Sequence, residues 1–204
     1  LCKKIISAIR FVIGKNKNII GLHEPNISNL EKKFVKKCLD LNFISSKGMF
    51  VQQFERKLKD ITKSKNVIAV ISGTAALHLA LRAINLKRNE EVLIPALNYI
   101  ASANSVIYCG GIPHFVDIEE ESLGIDIEKL KIYLSKICSF KNGKTINKKT
   151  KRRIKAIIPM HVFGHPSKIK EIIKIAKDYK LDLIEDAAEA LGSLYNGKHV
   201  GTFG

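Results

Sequence analysis

The spacing of apolar residues along the chain predicts alternating helices and strands. In the first third, the apolar positions of 5–13, 30–41 and 50–61 recur every three or four residues, which is the period of an amphipathic helix. Short β-branched runs then alternate with further helical patterns. The predicted strands are 66–71, 91–94, 112–116, 154–160 and 181–185, and helices are predicted near 73–84, 99–108, 126–137 and 168–179. This alternation predicts an α/β fold with a mostly parallel sheet and helices on both faces.

Turn signals mark the boundaries between these elements. Leu22-His23-Glu24-Pro25 predicts extended backbone, because the residue before a proline is disfavoured in the helical region. A turn is predicted at Ser45-Ser46-Lys47-Gly48, and the basic segment 141–153 is predicted to be an exposed loop or short ribbon around Asn142-Gly143. Asn196-Gly197 lies between short extended runs, which is typical of a type I′ hairpin.

Two strand ends carry candidate chemistry. The apolar run before Glu185 and Asp186 predicts a strand that delivers two carboxylates at its carboxyl end, where open α/β sheets bind their ligands. The run 66–71 leads into Ser72-Gly73-Thr74-Ala75-Ala76, where Ser72 or Thr74 can cap a helix whose first N–H groups remain open to an anion. Neither the dinucleotide nor the P-loop glycine pattern is present, so this signal is weak by itself.

Composition narrows the classes of protein. Apolar residues make up 46% of 204 residues, and the net charge of +16 raises nucleic acid or an anionic membrane as partners. Only six of the 35 basic residues are arginine, the residue that forked recognition of phosphates and bases favours, so we expect no nucleic-acid partner. No apolar run approaches the ~20 residues that a membrane span needs, and we expect no membrane partner. Four scattered cysteines predict free thiols in a reducing, cytoplasmic compartment. The first 13 residues resemble a signal peptide only weakly, and an amphipathic helix is the favoured interpretation.

The converging strand ends contain the parts that a pyridoxal phosphate (PLP) site requires: N–H donors for the phosphate, an aromatic ring for stacking, and a carboxylate for the pyridine nitrogen. In this order and spacing, the chain resembles the fold-type I, PLP-dependent sugar-nucleotide aminotransferases of the DegT/DnrJ/EryC1/StrS group. The resemblance runs from about Leu22 to Gly204. Its motifs are Ser72-Gly73-Thr74-Ala75-Ala76-Leu77, Val92-Leu93-Ile94-Pro95 leading to Tyr99, Phe115-Val116-Asp117, His161-Val162-Phe163-Gly164-His165-Pro166 and Glu185-Asp186-Ala187-Ala188-Glu189-Ala190-Leu191-Gly192.

The resemblance implies a role for each matching residue. Gly73, Thr74 and Ala75 would hold the phosphate, Tyr99 would stack on the pyridine ring and Asp186 would pair with the ring nitrogen. Glu189 would lie near the ring hydroxyl. We expect Ser45 and Ser46 near the substrate or a partner subunit, and structural roles for His161 and His165.

The resemblance also implies an activity: transfer of an amino group from glutamate to a nucleotide-linked 4-keto-6-deoxy sugar. Segments 22–25 and 43–48 look most like the branch that acts on UDP-4-keto-6-deoxy-N-acetylhexosamine, on routes to bacillosamine or legionaminic acid. The complete family forms homodimers. We expect an N-terminal helical extension over 1–22 and the PLP-binding large domain over 23–204, without the small C-terminal domain.

The family's Schiff-base lysine lies shortly beyond the segment that here is Gly201 to Gly204. Lys198 does not match its position, so we expect a fragment that does not transaminate. Two alternatives remain open. One is a sugar dehydratase of the same fold, in which histidine replaces that lysine. The other is a basic nucleic-acid-binding protein, which would explain the charge but not the stretches around Gly73 and Asp186.

Overall fold

The computed structural model describes residues 1–14, 25–42 and 48–204. Contacts divide the chain into two compact units, Leu1–Met49 and Phe50–Gly204. The extended backbone predicted at 22–24 and the candidate residues Ser45 and Ser46 lie outside the described residues.

The first unit contains two helices, α1 (Cys2–Ile13) and α2 (Asn29–Asp40). Helix α2 begins with a capping box: the Ser28 hydroxyl accepts from the helix backbone, and the Glu31 carboxylate accepts from the Ser28 N–H. Both predicted helices are therefore confirmed. Among the described helices, none is long and apolar enough to cross a membrane.

The second unit contains the predicted α/β layer. Its helices are α3 (Met49–Thr62, which starts at the boundary of the units), α4 (Gly73–Ala83), α5 (Ile100–Tyr108), α6 (Ile127–Ile137) and α7 (Ile169–Asp178). Its strands are β1 (Glu91–Pro95), β2 (Ile112–Val116), β3 (Cys138–Lys141), β4 (Lys144–Asn147), β5 (Ile154–Ile157), β6 (Asp182–Leu183), β7 (Leu194–Tyr195) and β8 (Lys198–His199).

Four of these strands form a parallel sheet in the order β2-β1-β5-β6. Leu93 of β1 pairs with His114 on one side and with Ile157 on the other. The hydrogen bonding between β5 and β6 continues beyond Leu183, the last residue of β6. The Ile184 N–H donates to the Ile157 carbonyl, and the Asp186 N–H donates to the Pro159 carbonyl. This continuation carries Asp186 to the carboxyl edge of the sheet.

The two faces of the sheet are buried by different helices, because alternate strand residues point to opposite sides. One face packs with α6 and α7 in a cluster that contains Leu93 and Ile157. The other face packs with α4 and α5 in a cluster that contains Val92, Ala156 and Ile184. Helices on both faces of a parallel sheet are the predicted architecture, which is confirmed.

Both Asn-Gly turns form tight hairpins. Asn196 and Gly197 have φ of 50° and 79°, the positive values that a type I′ turn requires, and they join β7 to β8. The second pair joins β3 to β4, so the basic segment starts as a two-stranded ribbon.

The prediction of a strand at residues 66–71 is wrong, because the structure has no strand there. None of the described strands pairs with this run, and the Ala69 N–H donates instead to the Glu55 carboxylate of α3. Ile71 is 96% exposed. β-Branched residues favour a pleated, half-buried surface, and without a neighbouring strand that preference does not produce a ladder.

Candidate active site at the carboxyl edge of the sheet

Asp186 is the buried acid of this edge. Its exposure is 6%, and its carboxylate accepts hydrogen bonds from the Ser102 hydroxyl at 2.7 Å and from the Ala188 N–H at 3.3 Å. A buried carboxylate is costly unless such donors satisfy it. The two bonds use different oxygens, so the orientation of the carboxylate is fixed.

Helix α5 brings an aromatic ring to the same place. Tyr99 is the N-cap of α5, and its side chain is 69% exposed. Ser102 follows three residues later, a spacing that places two residues on one face of a helix. Because Ser102 holds Asp186, the same helix start that anchors the acid also presents the open face of Tyr99.

Helix α4 presents N–H groups toward solvent. The Ser72 hydroxyl accepts from the Ala75 N–H at 3.2 Å, so Ser72 is the cap. Around Gly73, a Cβ would find open space, since apart from its chain neighbours and the backbone of its own helix no heavy atom lies within 4 Å. The first turn of this eleven-residue helix therefore offers the N–H groups of Gly73 and Thr74 to an anion, whereas that of Ala75 is already used by the cap.

Packing brings these elements to one side of the sheet. Leu77 lies one helical turn after Gly73, and it shares a buried cluster with Ile184 of the strand that leads to Asp186. Ala103 of α5 belongs to the same cluster. The start of α4, the start of α5 and Asp186 therefore lie on the same face, at the ends of elements that pack on one another.

The neighbouring acid Glu185 faces the other side of the sheet. Its side chain is 2% exposed, and it contacts His161 and the backbone of 201–204. Burial raises the pKa of Glu185. Hydrogen bonds from His161 and from the N–H groups of Gly201, Phe203 and Gly204 outweigh burial, so the pKa of Glu185 lies below its ordinary value.

The structure also places the remaining residues that the sequence singled out. Glu189 is exposed and accepts from the Phe163 N–H at 2.9 Å. His161 is buried between Glu185 and Ser167, and His165 is exposed. The Lys198 ammonium donates to the Thr202 carbonyl and lies 4.3 Å from the centre of the Phe203 ring.

Reasoning from sequence missed Ser102 and the contacts of Glu185. No local spacing connects Ser102 to Asp186, because the two residues lie 84 positions apart. The residues that contact Glu185 lie 16 to 24 positions away in the sequence, so no local sequence pattern predicts these contacts.

Comparison with known proteins gives the fold and the site a context. GDP-perosamine synthases are 39% identical over 185 residues in Escherichia coli and 37% identical over 186 residues in Vibrio cholerae, with 91% of this chain covered in both. The chain spans about half the length of these curated relatives, 46% of each.

Solved structures show the same fold. The aminotransferase from Psychrobacter cryohalolentis superposes with a TM-score of 0.74 and 29% identity, over 87% of this chain and 41% of its own. An E. coli GDP-4-keto-6-deoxy-D-mannose-3-dehydratase with bound hydrated PLP superposes with a TM-score of 0.73 and 29% sequence identity. The match covers 91% of this chain and 45% of the dehydratase chain. Residues 25–204 match the DegT/DnrJ/EryC1/StrS aminotransferase family, which confirms the predicted resemblance. The chain belongs to this family.

Proposed function

We propose that this chain forms the PLP-binding part of an aminotransferase that acts on a nucleotide-linked 4-keto-6-deoxy sugar, with glutamate as the amino donor. One observation carries the proposal: the buried carboxylate of Asp186 is bonded to Ser102, in the first turn of the helix whose N-cap is the exposed Tyr99. Membership of the family and the PLP bound in a related structure support the choice of cofactor.

The residues fit this cofactor. A flat, anionic pyridine derivative needs N–H donors without a side chain in front of them, and Gly73 provides open space at the start of α4. It needs an uncovered aromatic face, and Tyr99 is exposed. It also needs an acid near the ring nitrogen, and Asp186 is buried and already oriented by Ser102.

In this proposal, each side chain has a separate task. The N–H groups of Gly73 and Thr74 bind the phosphate, and Ser72 shapes that helix turn by bonding Ala75. Tyr99 stacks on the ring. Asp186 binds the protonated ring nitrogen, and Glu189 lies nearer the ring hydroxyl.

When bound, PLP withdraws electrons from the carbon that carries the amino group, which makes exchange of that group possible. Asp186 would strengthen this withdrawal of electrons by keeping the pyridine nitrogen protonated, because a nearby carboxylate stabilises a cation. Burial of Asp186 and Ser102 keeps water from competing for that carboxylate.

For the sugar, we propose a GDP-linked 4-keto-6-deoxy hexose as the first substrate to test. The names of the relatives support this choice, since they are GDP-perosamine synthases. None of the reported relatives supports the UDP-linked N-acetylhexosamine that the sequence resemblance favoured.

A second candidate is a PLP-dependent sugar dehydratase, which the similarity to the GDP-4-keto-6-deoxy-D-mannose-3-dehydratase supports. The two activities differ in product: the aminotransferase yields a sugar with an added amino group, whereas the dehydratase yields a sugar with one hydroxyl group fewer and no added amino group. Mass spectrometry of the product, with glutamate and the GDP-linked ketone supplied to the enzyme that contains this chain, separates them.

The assignment of residues 23–204 to the PLP domain and of 1–22 to a helical extension also remains part of the proposal, as do a homodimeric state and a cytoplasmic location. The match of residues 25–204 to the family supports the start of the domain.

The test of the cofactor site is equilibrium binding of PLP, followed by its absorbance. Asp186→Asn removes the charge that faces the ring nitrogen, so we expect affinity to fall roughly tenfold or more, at 1.4 kcal/mol per tenfold. Asp178→Asn, an exposed acid at the end of α7, is the matched control and should bind as the wild type does. Equal binding by both variants would refute the proposed role of Asp186.

A further inference from the structure

Glu185 connects two parts of the second unit that are distant in sequence. One of its oxygens accepts from His161 Nε2 at 3.1 Å and from the Gly201 N–H at 2.9 Å. The other accepts from the N–H groups of Phe203 at 2.5 Å and of Gly204 at 2.9 Å. Four donors therefore converge on one carboxylate that is almost entirely buried.

His161 is itself fixed in one tautomer. The Ser167 N–H points at Nδ1 at 3.1 Å, so Nδ1 is an acceptor and the ring proton lies on Nε2. That proton is the one donated to Glu185. A buried histidine with both nitrogens engaged holds the Glu185 carboxylate in a single position.

The three backbone donors belong to one loop. Residues 201–204 follow the β7–β8 hairpin, and the loop passes close to β6, since a Cβ on Gly204 would lie 2.8 Å from the Leu183 carbonyl oxygen. Phe203 packs against the cluster on the α6 and α7 side of the sheet. Glu185 points to this side, whereas Asp186, the next residue, bonds Ser102 on the other side.

We propose that Glu185 is a positioning residue that anchors loop 201–204 against the strand end that presents Asp186. The inference rests on the proposed function in one respect: the strand end that Glu185 holds is the one that would bind the cofactor ring. His161 acts through Glu185 and completes the anchor.

A carboxylate is required, because every group that faces Glu185 is a donor. Glu185→Gln keeps the shape, but its amide NH₂ must face either His161 and Gly201 or Phe203 and Gly204. Either choice replaces two hydrogen bonds by a contact between donors. The loop retains the bond from Lys198 to the Thr202 carbonyl, so we expect a local effect on the loop rather than unfolding.

The stabilising contribution of Glu185 should also depend on pH. The pKa of Glu185 is lowered below its ordinary value of 4.5, so its contribution is complete above that value and is lost as pH falls through the folded-state pKa. Among the described residues, His161 is the titratable side chain bonded to it.

The experiment is amide hydrogen exchange of Gly201, Phe203 and Gly204 in the full protein that contains this chain, read by NMR as a function of pH. Glu185→Gln is compared with Glu171→Gln, an exposed acid of α7 that gives the same change in charge. We expect exchange roughly tenfold faster at the three amides in Glu185→Gln alone, and loss of protection at low pH in the wild type and the control. PLP affinity of the same proteins is the second measurement.

Faster exchange together with weaker PLP binding in Glu185→Gln supports the proposal. Unchanged protection of the three amides overturns it. Faster exchange with unchanged PLP affinity also overturns it, because the loop would then be anchored without any effect on the cofactor site. If the wild type itself binds no PLP, the proposed cofactor role fails, and the exchange result alone decides whether Glu185 anchors the loop.

Discussion

Ser102 is the clearest place to test how the site is built, because one hydroxyl connects helix α5 to the buried acid. The O–H to carboxylate distance is 2.7 Å, and both residues are buried. Ser102→Ala removes the hydroxyl group that donates to Asp186, so Oδ2 of the carboxylate loses this hydrogen bond. Since that acceptor is charged, the bond should contribute about 1.5–3 kcal/mol.

One opposing effect reduces this value. Ser102 lies within α5, and alanine is favoured over serine in a helix by about 0.5 kcal/mol. The expected net loss in the free energy of unfolding is therefore about 1–2.5 kcal/mol. Urea denaturation with linear extrapolation measures it, provided that the denaturant dependence itself does not change.

The same helix supplies a matched control. Ser105 is also buried, but its hydroxyl donates to the neutral Ser102 carbonyl at 2.9 Å. A neutral bond of about 1 kcal/mol, less the gain in helix propensity, predicts a loss of about 0.5 kcal/mol for Ser105→Ala. We also expect weaker PLP binding in Ser102→Ala alone. If both variants lose the same stability and bind PLP equally, the Ser102–Asp186 bond does not orient the acid.

Three further predictions use single substitutions. Gly197→Ala should reduce the free energy of unfolding by about 1–2 kcal/mol, because φ is 79° there, and an unchanged denaturation midpoint would contradict this. Gly73→Ala should raise the free energy of unfolding by about 0.4–1 kcal/mol, because alanine restricts the unfolded chain and the added methyl meets open space. PLP titration should nevertheless show weaker binding, because the methyl obstructs the phosphate. Burial raises the pKa of Glu91, but hydrogen bonds from His114, Thr150 and Asn147 outweigh it and lower that pKa, so this contribution to stability is lost as pH falls below 4.5. Unfolding of Glu91→Gln, measured between about pH 3 and 6, should therefore depend less on pH than that of the wild type; equal slopes would count against the assignment.

Periodicity was sufficient for most elements, because each depends on the burial of one face. Helix α6 starts after Asp126, whose side chain accepts from the Lys129 N–H as an N-cap should, and Leu130 and Leu134 are buried as their spacing predicts. The helices on both faces followed from the strand–helix alternation in the same way.

The run 66–71 shows where local pattern fails. Its β-branched residues fit a strand, but a strand also needs a neighbour, and pairing is a property of distant residues. In the candidate site, too, local motifs predict some features, whereas contacts between distant residues are not predicted. Sequence motifs placed Gly73, Tyr99 and Asp186 at element ends, whereas the partner of Asp186 lies 84 residues away and no spacing rule indicates it.

The opposite orientations of Glu185 and Asp186 constrain how this segment can change over evolutionary time. Side chains alternate along extended backbone, so an insertion or deletion of one residue before Glu185 would exchange the two acids between the faces of the sheet. The loop would then no longer face Glu185, and Ser102 would no longer face Asp186, as the result of a single event. Point substitutions can alter one side at a time, but a change in length would affect both, so the length of this segment should vary less than its composition.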